Sequence, residues 1–134
     1  MTKHQTQAGG ENFEAYAEYA KNLRIWFVSF GIGAPLALVS GTRLSDALSA
    51  SGNLYKVVLL YLIGVALQII LSLLNKYTNW ICYYGENHKE FQGKRVYKIA
   101  LAVSRRFELD GFIDLSTFAL FFCASVAVLR SLAE

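Results

Sequence analysis

Residues 57–75 carry no charged side chain, and neither do residues 25–42 or 115–129. A soluble chain of this size spreads its charges over every element, because each element needs one wet face. Here 54% of the residues are hydrophobic, and the 17% that are charged cluster between the three bare runs. About 20 apolar residues cross the hydrocarbon core of a bilayer. The pattern predicts a single-domain, all-α integral membrane protein with three transmembrane helices. The rival reading, a soluble bundle, would need three helices that are apolar all round in a chain of only 134 residues.

Local signals set the expected boundaries. Residues 1–10, MTKHQTQAGG, read as a flexible tail. In 11–24, Phe13, Tyr16, Ala17 and Ala20 recur at helical spacing, with acids early and Lys21 and Arg24 late, which predicts an amphipathic helix favoured by its own dipole. The first span, 25–41, is short and contains Gly31, Gly33 and Pro35, which predicts a kink. It begins too far from the start to act as the core of a signal peptide and reads as a retained anchor. The loop 41–53 is rich in Ser, Ala and Gly. The second span, 55–84, would be about 45 Å long as one helix, well beyond a hydrocarbon core of about 30 Å, so it must tilt or project. Its Tyr77, Trp80, Tyr83 and Tyr84 suit the headgroup region. A basic amphipathic helix over 87–109 and a third span over 111–130 complete the chain.

The second span is interrupted. With Gly64 at 0° on a helical wheel, Asn75 falls near 20°, Gln68 near 40°, Tyr61 and Asn79 near 60° and Ser72 near 80°, at about 100° per residue. Amides facing hydrocarbon would be left unsatisfied, so this arc is turned from lipid. Two environments could receive it: the other helices, with Gly64 and Ser72 allowing close approach, or the aqueous lumen of an oligomer. The third span has a weaker stripe of its own in Asp110, Asp114, Thr117 and Ser125. Lys76 and Asp114 lie at similar depth and are expected to form an interhelical ion pair, the alternative being a snorkelling Lys76 and a helix-capping Asp114.

In the basic helix, Val96, Ile99, Ala100, Val103 and Phe107 gather on one side, while Lys94, Arg95, Lys98, Arg105 and Arg106 gather on the other. The basic side is expected to contact anionic lipid headgroups or a cytoplasmic protein partner. Lys and Arg are concentrated in 85–110, which places that loop and the N-terminus in the cytoplasm, the C-terminus outside, and the protein in the cell (inner) membrane. The net charge of +3 is too mild to indicate nucleic acid, and no nucleic-acid motif occurs. Cys82 and Cys123 form no C-x-x-C pair and read as small packing residues. His4 and His88 have no second ligand at metal spacing, and no nucleophile–base pair is present, so neither a cofactor, a metal nor an enzyme is expected.

In size and span count the chain is similar to three-span holins and other small pore-forming or toxin-like bacterial membrane proteins. The likeness is one of layout, rests on no motif and transfers no site, and the inferred orientation departs from the holin pattern. The sequence thus leads to a self-assembling homo-oligomer that forms a pore or perturbs the membrane. The alternative is a non-conducting accessory or anchoring subunit that docks a partner through its basic loop.

Overall fold

The structure, a computed structural model, describes the backbone of residues 3–41, 43–104 and 106–133, with side chains from residue 15 onward except 107. Five α-helices and no strand occur among the described residues: α1 (Lys3–Val39), α2 (Arg43–Ala50), α3 (Leu54–Asn87), α4 (Arg95–Ser104) and α5 (Phe107–Ala133). A 3-10 turn, Lys89–Phe91, stands between α3 and α4. Among the described residues three segments are long and apolar enough to cross a membrane: Ala15–Val39, Leu54–Asn87 and Glu108–Ala133.

Several boundaries differ from the sequence reading. From Lys3 to Val39 the expected tail, amphipathic helix and first span form one continuous helix, residues 1–2 of the tail lying outside the described residues. A Gly pair lowers helix propensity but does not end a helix propagating from a strong Ala- and Glu-rich segment. Pro35 lies inside α1, and the helix continues to Val39. The loop 41–53 contains α2, whose Leu48 is fully buried. The expected single basic helix over 87–109 is broken into the 3-10 turn, α4 and the first turn of α5. Gly93 lies in the turn before α4, where its poor helix propensity favours a break, and the chain must reverse to start α5 beside α3.

The axis of the bundle is α3. Both α1 and α5 run along it and α4 rests on its C-terminal part, while α1 and α5 touch each other sparingly. On α3 the buried Val57, Tyr61, Gly64, Gln68, Leu71 and Thr78, with the half-buried Asn75 between the last two, recur at alternating intervals of four and three. That 3.5-residue period keeps one seam facing a partner helix along its whole length.

Phe121 of α5 fills the junction of the three long helices. Its ring centroid lies 5.3 Å from that of Tyr61, 5.8 Å from Phe30 and 5.9 Å from Phe27. Space for it comes from two glycines, Gly31 on α1 and Gly64 on α3, since a Cβ at either would collide with the ring. Gly85 plays the same part for Tyr97, where α4 meets α3.

At the far end from α4, hereafter the distal end, α2 closes the bundle. Its last turn is a Schellman motif: Asn53 N–H donates to Leu48 O at 3.1 Å and Gly52 N–H to Ser49 O at 3.1 Å. Gly52 has φ +68°, the left-handed conformation that this motif needs. Ser51 and Asn53 then both donate to Ser131 Oγ of α5, at 3.1 and 3.4 Å.

Placing a branched side chain at the Phe121 junction should cost stability. Gly64→Val or Gly31→Val is expected to lower unfolding free energy by about 1–3 kcal/mol through overpacking. Gly33, which has nothing near its Cβ position, should accept Ala without loss. Unfolding in detergent followed by the fluorescence of Trp26 and Trp80 would measure both.

Candidate functional site

Helices α3 and α5 run antiparallel and are joined by a ladder of polar contacts. Tyr61 and Ser125 share a hydroxyl–hydroxyl hydrogen bond of 2.9 Å. One heptad further along α3, Gln68 Nε2 donates to Asp114 Oδ1 at 2.9 Å and to Thr117 Oγ1 at 3.0 Å. One heptad further again, Asn75 Nδ2 donates to Asp110 Oδ1 at 3.2 Å. Thr117 can accept from Gln68 because its own hydroxyl donates to the carbonyl of Ile113. Gln68 and Thr117 are fully buried.

The amide of Gln68 is oriented by Asp114. Its two N–H groups are used by the carboxylate and by Thr117, and the reverse orientation would set a carbonyl against a carboxylate. The consequence is a buried Oε1 with no partner among the described residues. An orphaned buried acceptor costs about 1–3 kcal/mol.

The third long helix joins at Asp110. Arg24 of α1 donates from Nη2 to Asp110 Oδ2 at 3.0 Å, and both side chains are about four-fifths buried, at 19% and 20% exposed. Arg24, Asn75 and Asp110 thus tie α1, α3 and α5 together where each changes from polar to apolar sequence. This is the ion pair of the bundle among the described residues, and it corrects the expected Lys76–Asp114 pair. The physical reason is angular: Lys76 stands about 100° around α3 from Asn75 and is exposed, while Gln68 approaches Asp114 along the seam. Above the triad, a polar cleft of about 240 Å³ lies between α1, α3 and the α4–α5 turn, with Arg24, Asn75, Thr78, Asn79, Arg106 and Asp110 on its walls.

The remaining expected residues divide between the seam and the surface. Tyr61, Gly64, Gln68 and Asn75 lie in the seam, whereas Ser72 and Asn79 are exposed. Ser72 satisfies its hydroxyl on the Gln68 carbonyl of its own helix at 2.8 Å. Lys94, Arg95, Lys98 and Arg106 are all exposed, and Arg105 lies outside the described residues. Lys94 also sits over the Phe91 ring, 5.1 Å from its centroid. On α4 the side turned to α3 carries Tyr97 and Ala100, so Val96 and Ile99 of the expected apolar face remain exposed. Cys82 and Cys123 are free thiols, and no cluster of potential metal ligands occurs among the described residues.

Sequence reasoning found the stripes on both spans but missed Arg24 and the pairing. A signal was present: Asp110, Thr117, Ala124 and Ser131 repeat every seven residues on α5, the same period as Tyr61, Gln68 and Asn75 on α3. Comparison with protein-family models, with curated proteins and with solved structures finds no match to the chain.

The triad should behave as a coupled unit. Arg24→Leu and Asp110→Leu are each expected to destabilise by about 1–3 kcal/mol. Their combination should cost less than the sum by about 1 kcal/mol or more, the mark of a direct contact. Lys76→Leu, at an exposed position, should change stability by under about 0.5 kcal/mol. Exchange of Lys76 and Asp114 should give no rescue of an Asp114→Lys variant in the same unfolding measurement.

Proposed function

We propose that the protein is a non-conducting, multi-pass subunit of the cell membrane that anchors or recruits a cytoplasmic partner through its basic face. In this reading the N-terminus and the segment 85–110 are cytoplasmic and the C-terminus is outside, in keeping with the concentration of Lys and Arg. The observation that carries the reading is the polar ladder. Tyr61, Gln68 and Asn75, which could have lined a lumen, are hydrogen-bonded to Ser125, Asp114, Thr117 and Asp110 of the same chain. The outward side of α3 over the same stretch is Leu59, Leu62, Ile63, Ile69, Ile70 and Leu73, suited to lipid.

The basic face supports the docking role. Four described cations of 94–106 are exposed together with Val96 and Ile99, a mixed surface that suits either anionic headgroups or an acidic protein segment. A pore-forming oligomer is the second reading. It would have to use Ser72 and Asn79, which are exposed and seven residues apart on α3.

Flux across proteoliposomes tests the two. The subunit reading expects dye-loaded vesicles to stay tight at any protein density, with charge neutralisation of Lys94, Arg95, Lys98 and Arg106 to Gln lowering recruitment to anionic vesicles or to an acidic partner by about tenfold or more. Copy-dependent leakage that Ser72→Leu or Asn79→Leu abolishes would establish the pore instead.

A further inference from the structure

Three cavities succeed one another along the gap between α1 and α5, of about 440, 370 and 330 Å³. The series begins beside Tyr16 and Gly111 at the end carrying α4, passes Phe30 and Phe118, and finishes beside Leu38 and Leu129 at the distal end. The gap follows from the way the bundle is held together, since α1 and α5 each pack on α3 and only sparingly on each other. Its walls are largely Phe, Trp, Leu and Ala.

Among the described residues one charged group lines this groove, Asp114. It lies a helical turn inside Asp110, about 6 Å deeper along α5. The two carboxylates are treated differently. Asp110 holds a guanidinium and an amide, whereas Asp114 receives only the Gln68 amide on Oδ1. Among the described residues no cation pairs with Asp114, because Arg24 is engaged by Asp110 and Lys76 makes no ion pair. Acidic groups inside a span face protein or water and pair with a cation, because hydrocarbon leaves them unsatisfied. Ala20 and Gly111 line the same cavity as Asp114, and small residues there let a helix backbone approach closely.

We propose that the α1–α5 groove receives one transmembrane helix of a partner protein, and that this helix carries a Lys or Arg placed to pair with Asp114. The inference rests on the subunit reading and names the partner's membrane segment: apolar through most of its length, with a single cation about one turn inside one end. A helix matches the groove on two counts, the succession of three apolar cavities over the length of the span and charge complementarity at one defined depth.

The test uses the full chain in phosphatidylcholine vesicles with synthetic Leu-rich single-span peptides as the probe, and association is read by energy transfer. One peptide carries a single Lys one turn inside its end and the other carries Leu there. The expected result is that the Lys peptide associates about tenfold or more tightly than the Leu peptide. Asp114→Asn should erase that preference. The variant keeps an acceptor oxygen for Gln68, so unchanged unfolding shows that the fold is intact. Equal association of the two peptides, or a preference that survives Asp114→Asn, would overturn the proposal. So would displacement of the Lys peptide by added phosphatidylethanolamine, which would make the occupant a lipid amine, or Asp114-dependent self-association, which would make it a second copy. The vesicles are also loaded with dye. Leakage would count against the non-conducting reading, while the peptide preference is scored separately.

Discussion

The architecture depends on the seam between α3 and α5. Hydrophobic burial cannot drive helices together inside lipid, because the tails are as apolar as the side chains; packing and hydrogen bonds must do it. The seam supplies both at a single period. Val57, Gly64, Leu71 and Thr78 form one row of α3, and Tyr61, Gln68 and Asn75 form the other. The first row gives close packing, with Gly64 admitting Phe121, and the second reaches across to hydroxyls and carboxylates. A stripe at period 3.5 slips about 20° per heptad around a straight helix, so a heptad seam stays on its partner when the two helices wind slightly around each other in a left-handed sense.

Two polar clamps bound this seam, and their separation has a physical scale. On α3, Asn53 and Asn75 are 22 residues apart, about 33 Å of helix, and on α5 Asp110 and Ser131 are 21 apart, about 32 Å. The hydrocarbon core is about 30 Å thick. The two clamps are thus spaced at about the thickness of a hydrocarbon core, and the residues between are nearly all apolar outside the ladder. The first long helix is the exception, since only 15 residues separate Arg24 from Val39, about 23 Å. The α2 helix answers that shortfall: it lies across the distal end and inserts Leu48 into the core with Leu38 and Val57.

Much of this was legible in the sequence, and the failures have physical causes. The three spans and the inward arc on α3 could be read because lipid imposes a simple rule on charge and on unsatisfied amides. The fusion of the N-terminal segments into α1 was not legible, since a polar tail and a Gly pair look the same whether or not a strong helix downstream propagates through them. The breaks around α4 were hidden because 100° periodicity continues past Gly93, and only the need to reverse the chain onto α3 ends the helix there. Depth alone pairs Lys76 with Asp114. Azimuth decides between cations at similar depth, and it selects Arg24 and Asp110. The common heptad of the two polar stripes encodes the α3–α5 register.

The position of the ion pair also bears on the proposed non-conducting role. A ladder that lines water must leave its donors and acceptors partly free, so that water can replace them. Here the seam amides of Gln68 and Asn75 are both engaged by α5, and the orientation that engages Gln68 leaves its own carbonyl without a partner among the described residues. Opening a lumen along this seam would expose that carbonyl but would sever four hydrogen bonds and separate Asn75 from the Arg24–Asp110 pair. The exposed polar groups that would remain on α3, Ser72 and Asn79, lie on a different line. The proposed subunit reading leaves two features at the periphery of the three-helix unit: a basic face at one end and, in the groove beside α1, a carboxylate that no cation pairs with among the described residues.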